Sequence, residues 1–113
     1  MRTSNDLILN LTNVTTDQFS EAVDLTNIYL YSVQLSWTST TAAATISLQA
    51  TNYENPLSTD WITISATSQT VNNNSSSVMI KETDVSYKKF RIFVDHSSGT
   101  ITTVTAKFNA KGV

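Results

Sequence analysis

The stretch Tyr87-Lys88-Lys89-Phe90-Arg91-Ile92-Phe93-Val94, followed by Ser97-Ser98-Gly99-Thr100 and then Ile101 through Val113, decides the fold class. Phe90, Ile92 and Val94 recur at every second position, the repeat of a strand with one buried face. Val104, Ala106 and Phe108 repeat that pattern beyond Gly99, so the segment reads as two paired strands joined by a glycine-containing turn. The alternation runs to Lys111-Gly112-Val113, which predicts no tail, linker or second domain after it.

The same period extends backwards through the chain. Leu7, Leu9 and Leu11 share one face of an N-terminal strand, and Tyr29, Tyr31, Val33, Leu35 and Trp37 share one face of a longer strand. Ile46, Leu48 and Ala50 form the next inward set. A polar loop, 51–60, holds the single proline, Pro56, and precedes Trp61-Ile62-Thr63-Ile64. A short strand near Gln69-Thr70-Val71, a turn at 72–77 and Val78-Met79-Ile80 complete the series. About eight strands with a turn signal every ten or so residues predict one all-β domain over 1–113. The expected architecture is an antiparallel β-sandwich, jelly-roll-like, with an immunoglobulin-like sandwich as the alternative because both produce this alternation. Segment 1–27 is expected to serve as an edge strand or an oligomer-contact arm. Thr16 to Val23, with Asp17 as a cap, is the nearest approach to a helix, and a loop or strand competes there.

Composition narrows the function classes. At 113 residues, a single domain buries roughly two-thirds of the surface its unfolded chain exposes, enough for a core without staples. The chain has no cysteine, which removes disulfides, thiolate metal sites and cysteine nucleophiles together. A net charge of -2 gives no basic field for nucleic acid. No apolar run reaches the length of a membrane span, and 7–11 is too short and too broken by Asn10 for a signal peptide. Ser, Thr and Asn make up about two-fifths of the residues, whereas charged residues are only 14%. Thr suits a pleated surface and Ser and Asn suit turns, so what remains is an uncharged, hydroxyl-rich β surface.

Few residues carry chemistry. His96 beside Asp95 has the makings of a general base, but no nucleophile motif accompanies it, and it reads as a polar turn residue. Two glycines, Gly99 and Gly112, cannot build a phosphate-cradling loop. The pairs Glu82/Asp84 and Asp17/Glu21 are the carboxylates best spaced to hold Ca²⁺, yet no Asp-x-Asp-x-Asp-Gly run is present, and no metal or cofactor is expected. Matches to Asn-x-Ser/Thr at Asn10, Asn13, Asn73 and Asn74 are unremarkable in so Asn- and Thr-rich a chain. Lys89 and Arg91 share the face opposite Phe90 and Ile92, which predicts a solvated outer sheet face with Lys107 or nearby carboxylates across from them. Contact with an acidic partner surface is the functional reading of the same pair. Trp37 continues an inward series and is expected in the core. Trp61 either plugs the end of the sandwich or projects from it, and Tyr53 is the ring expected to be exposed. Tyr53, Trp61, Lys89 and Arg91 are therefore the candidate ligand or partner contacts.

Several runs together resemble a known family. Tyr31-Ser32-Val33-Gln34-Leu35-Ser36-Trp37-Thr38, Ala44 to Asn52, Trp61 to Ile64, Tyr87 to Ile92, Ser98-Gly99-Thr100 and Lys111-Gly112-Val113 are similar to small β-sandwich modules of tailed-bacteriophage virion proteins. The likeness spans about residues 29–113. Those modules share a Trp-Thr strand end, a Leu-Gln-x-Ser/Thr-Asn strand, a Trp strand, a Tyr-x-x-Phe/Ile-Arg strand and a terminal Gly. This chain departs from them at Thr40-Thr41-Ala42-Ala43, which stands in place of a glycine-containing turn.

The resemblance implies a virion structural role as a capsid decoration, head-fibre or tail-fibre element, without enzymatic activity. It implies the major capsid protein or other virion subunits as partners, further copies of this chain in a trimer, and the virion as location. No binding residue carries over, because the matching positions build the sandwich. A carbohydrate-binding module recognising a cell-surface glycan through Tyr53 and Trp61 is the alternative. A hydrolase built on Asp95 and His96, or on a pair of loop carboxylates, is the third and weakest.

Overall fold

The computed structural model describes residues 2–26, 28–83 and 85–112, with backbone alone for 2–6, 65, 111 and 112. Alternation becomes two antiparallel sheets packed face to face. Sheet A has the order β1-β9-β4-β7, from β1 (Arg2–Val14), β9 (Ile101–Gly112), β4 (Ile28–Ser39) and β7 (Ser76–Thr83). Sheet B has the order β2-β8-β5-β6, from β2 (Gln18–Phe19), β8 (Lys89–Ser98), β5 (Ala43–Thr51) and β6 (Ile62–Asn72); β3 (Val23–Asp24) also pairs with β8. If β2 and β3 are counted as one interrupted strand, the pairs β1/β9, β2–β3/β8, β4/β7 and β5/β6 nest inside one another. That nesting is a jelly roll, and it excludes the immunoglobulin-like alternative.

The core lies between the sheets. Tyr31, Val33, Leu35 and Trp37 of β4 and Val104, Ala106 and Phe108 of β9 meet Ile46 and Leu48 of β5 and Phe90, Ile92 and Val94 of β8, all buried. Tyr31 stacks on Phe90 at 4.7 Å between ring centroids, and Phe108 tilts against both at 5.7 and 5.4 Å. This aromatic cluster ties sheet A to sheet B; each such ring pair contributes about 0.5–1.5 kcal/mol beyond its buried area. The Tyr31 hydroxyl hydrogen-bonds the Tyr87 hydroxyl, so the buried phenol keeps a partner. Burial foremost, then that bond, hold the Tyr31 phenol well above its ordinary pKa.

Two expectations are corrected. The strands flanking Gly99 are not hydrogen-bonded partners, because β8 belongs to sheet B and β9 to sheet A. The 97–100 turn instead carries the chain from one sheet to the other, and Phe90 meets Phe108 across the core rather than along a ladder. Leu7, Leu9 and Leu11 do not share a face either. Register shifts between Leu7 and Leu9, where Ile8 is an extra residue opposite Lys107–Ala106. Leu9 is thereby buried and Leu7 is left exposed beside Lys107. The segment 16–23 forms the strand and loop that compete with a helix there.

Irregularities in sheet B are repaired by side-chain hydroxyls. Between β2 and β3, Ser20 donates its N–H to the Ile92 carbonyl at 2.9 Å and its Oγ accepts the Ile92 N–H at 2.8 Å. Between β5 and β6 the register jumps from Ile46↔Gln69 to Leu48↔Ile64, which leaves the Leu48 N–H without a ladder partner. The buried Thr67 Oγ1 accepts that N–H at 2.9 Å and donates to the Ile64 carbonyl at 2.6 Å. Sequence alone reads this region as two separate strands because the insertion interrupts the period.

The turn at Gly99 packs closely against the β4–β5 connection. Gly99 has φ +70°, and a Cβ there would lie 2.0 Å from the Thr41 carbonyl oxygen in the β4–β5 connection. Thr41 also exchanges hydrogen bonds with the Thr100 backbone at 3.3 and 3.4 Å. The two sheet-crossing turns therefore press against each other, and the glycine absent from 40–43 is supplied by the neighbouring turn.

Both the Gly99 turn and the Thr67 hydroxyl bear on stability. Gly99→Ala forces both a left-handed alanine and a backbone clash, and is expected to lower the unfolding free energy by about 3 kcal/mol or more. Thr67→Val removes the acceptor for a buried N–H and is expected to cost about 1–3 kcal/mol, whereas Thr67→Ser retains most of the stability. Urea unfolding of the three variants checks both; equal stability of the Val and Ser variants would contradict the repair role.

Candidate functional site

The inward face of β8 fixes what its outward face presents. With Phe90, Ile92 and Val94 buried, Lys89, Arg91, Phe93 and Asp95 point away from the core. On one side β8 pairs with β2, which puts Phe19 directly opposite Phe93. On the other it pairs with β5, which puts Gln49 opposite Arg91. Trp61 reaches the same face from the residue just before β6.

These side chains form one continuous stack across sheet B. The Phe93 and Phe19 rings stack at 4.8 Å with planes 16° apart. The Arg91 guanidinium carbon lies 4.0 Å from the Phe19 ring centroid and 4.5 Å from that of Trp61. Two groups stacked this closely on Phe19 cannot share one side, so both faces of that ring are occupied, by Phe93 and by Arg91. The guanidinium in turn sits between Phe19 and Trp61. Its Nε donates to Gln49 Oε1 at 2.8 Å, and Gln49 Nε2 donates to Thr63 Oγ1 at 3.3 Å. Ser47, Gln49 and Thr51 point outward from β5, yet all three are buried, so the outer side of this strand is roofed.

The electrostatics of Arg91 follow from this packing. Desolvation pulls its pKa below the usual arginine value without discharging it at neutral pH. Two ring faces compensate, each worth about 0.5–2 kcal/mol as a cation–π contact depending on solvent access. The expected solvated face with Lys107 nearby is corrected: Lys107 lies in β9 of the other sheet. Among the described residues no carboxylate forms an ion pair with Arg91, while Lys89 stands directly across from Asp24 of β3. The ion pair described is Lys88–Glu54 at 3.5 Å, largely exposed and worth little.

Of the four residues singled out from sequence, Trp61, Arg91 and Lys89 share this face, with Trp61 and Arg91 in contact. Tyr53 is separate and 61% exposed. It lines a cleft of about 580 Å³ with Asn52, Asp60, Ile62, Ile64 and Tyr87, beside the 52–61 connection. Ile62 is 69% exposed there. Asp60 is engaged locally, accepting the Leu57 N–H at 2.8 Å. Phe19, Phe93 and Gln49 were not singled out by sequence reasoning. Phe93 was legible as the outward residue between Ile92 and Val94, but nothing in 15–21 marks Phe19.

The remaining candidates resolve into structure. His96 Nε2 lies 2.6 Å from the Gly99 carbonyl oxygen, and its backbone N–H donates to Asp17 Oδ1 at 2.8 Å, so both bracket turns. Among the described residues no group of three or more His, Asp or Glu is placed to hold a metal ion, and Asp84 lies outside those residues. No described helix is long and apolar enough to cross a membrane.

Removing Arg91 should expose how the stack is held. Arg91→Ala is expected to lower stability by about 1–3 kcal/mol and to raise iodide quenching of Trp61 fluorescence. Arg91→Lys, with no plane to stack, should recover less than half of that loss. An Ala variant as stable as the parent, with unchanged quenching, would contradict the arrangement.

No family model and no curated protein matches the sequence. Among solved structures the fold is similar to that of the SPBc2 prophage-derived protein YomS, with a TM-score of 0.52 and 15% identity. That match covers 96% of this chain and 92% of the other. A structure described under "CBM4 structure and function" is also similar, with a TM-score of 0.49, 16% identity, and coverage of 84% of this chain and 59% of the other. At such identity the likeness to YomS shows a shared fold: this chain is an all-β sandwich of a form also found in a prophage-derived protein.

Proposed function

We propose that this chain is a non-enzymatic virion structural protein of a tailed bacteriophage, decorating or stabilising a capsid or forming part of a head or tail fibre. The observation that carries this reading is the ordered Phe93–Phe19–Arg91–Trp61 stack on an outer sheet face. Trp and Arg held rigid on a sheet are the residue types that anchor protein interfaces, and little ordering entropy is lost when they are covered. The shared fold with a prophage-derived protein agrees with a phage setting. At one end of the outer side of sheet A, Ser36–Ser77 and Thr38–Thr103 hydroxyl pairs at 2.8 and 2.7 Å offer neighbours neutral hydrogen-bonding groups, with Lys81 and Lys107 further along the face. Strand β1, bonded on one side to β9, supplies an edge that suits a symmetric contact between copies, with a trimer favoured.

A second reading is favoured by a different observation. The cleft beside Tyr53 combines apolar walls with Asn52, Thr51 and Thr59, a composition suited to a neutral sugar. The Phe19 ring cannot serve a sugar in this way because both of its faces are taken. Glycan binding, if present, therefore belongs to the cleft and docking to the stack.

The two readings separate by mutation. Light scattering should report an oligomer, and the protein should co-sediment with purified virions. Trp61→Ala is expected to weaken that association by about 2 kcal/mol, roughly thirtyfold, whereas Tyr53→Ala leaves it unchanged. A monomer that ignores virions but binds a glycan array in a Tyr53-dependent way would move the assignment to the second reading.

A further inference from the structure

We infer that Arg91 is a preorganised receptor for a carboxylate, supplied by an Asp or Glu side chain of a neighbouring protein subunit. The inference rests on the docking reading above and names the chemistry of its partner. Three observations support it. First, the guanidinium carbon lies against both the Phe19 and Trp61 rings, at 4.0 and 4.5 Å from their centroids, while its Nε donates to Gln49, contacts that oppose its free rotation. A guanidinium bonded through Nε on one side still has its terminal nitrogens, whose N–H fork matches the two oxygens of a carboxylate. Second, no described carboxylate lies within ion-pair distance of Arg91, although the chain carries nine Asp and Glu against seven Lys and Arg. On the same face Lys89 stands across from Asp24 of β3 and Asp95 lies beyond Phe93, so Arg91 is the cation there that a neighbour's carboxylate would complement. Third, the group stands on an outer sheet face and does not line the cleft beside Tyr53. A small free ligand needs concave walls to cover most of its surface, whereas a protein surface covers a flat face. Immobilisation in advance removes much of the entropy cost that usually cancels an exposed ion pair.

The test uses the full chain, ¹⁵N-labelled, titrated separately with a blocked glutamate tripeptide, its glutamine counterpart and sialyllactose. The Arg91 Nε–H resonance should shift saturably with the glutamate peptide and bind the glutamine peptide at least about tenfold more weakly. Arg91→Lys, read at the Trp61 indole N–H, should weaken glutamate binding about tenfold. Gln49→Glu, which supplies a carboxylate from within, should abolish it while leaving the fold intact. Equal responses to glutamate and glutamine, or an unaffected Gln49→Glu variant, would overturn the inference. A stronger response to sialyllactose would also overturn it, in favour of a sugar acid. Co-sedimentation with virions separates the two levels: particle binding without a glutamate response removes the carboxylate receptor and leaves docking in place. Loss of particle binding in the parent protein removes both.

Discussion

The constraint on which the rest of the structure depends is the strict alternation of β8. Its inward side chains, Phe90, Ile92 and Val94, are buried between the sheets, and Phe90 stacks on Tyr31 and packs against Phe108 from the opposite sheet. Because the period of a strand is two, a slip of one residue would put Arg91 into the core and Phe90 into water. Burying an unpaired guanidinium among aliphatic residues is far costlier than any gain from its outer contacts. The core therefore specifies the register, and the register places Arg91 and Phe93 outside.

The outer site is built from what the jelly roll brings beside β8. The β2 segment is short, yet Ser20 continues its pairing with β8 through the Ile92 backbone, so Phe19 is held at a definite position. On the other flank Gln49 comes from β5, and the chain entering β6 delivers Trp61. Three sequence-distant regions thus meet on one face around a single cation. This is why the site tolerates a polar surround: its order comes from stacking and one hydrogen bond to Gln49, not from enclosure.

Much of the core was legible in the sequence, because Phe90/Ile92/Val94, Tyr31 through Trp37 and Ile46/Leu48 each repeat with period two. Partnership was not legible. Alternation says which side of a strand is buried but not which strand lies beside it, so β8 and β9, adjacent in sequence, read as partners although they sit in opposite sheets. Bulges hid themselves in the same way: Ile8 reverses the parity of the N-terminal strand, and the insertion around Thr67 splits β6 into two apparent pieces. Of the site, Arg91 and Trp61 were visible by residue type, but their contact was not. Phe19 lies in a strand of two residues, too short to show any period.

The docking site depends on the Arg91 guanidinium being held in the free protein. Amide and guanidinium ¹⁵N relaxation measured on the unliganded chain tests this directly. The stacked arrangement predicts an Arg91 Nε–H order parameter close to that of the β8 backbone, about 0.85, with an upfield shift from the Phe19 and Trp61 rings. A value below about 0.6 without a ring-current shift would show a solvated, freely moving arginine and would contradict the arrangement on which the docking site is built.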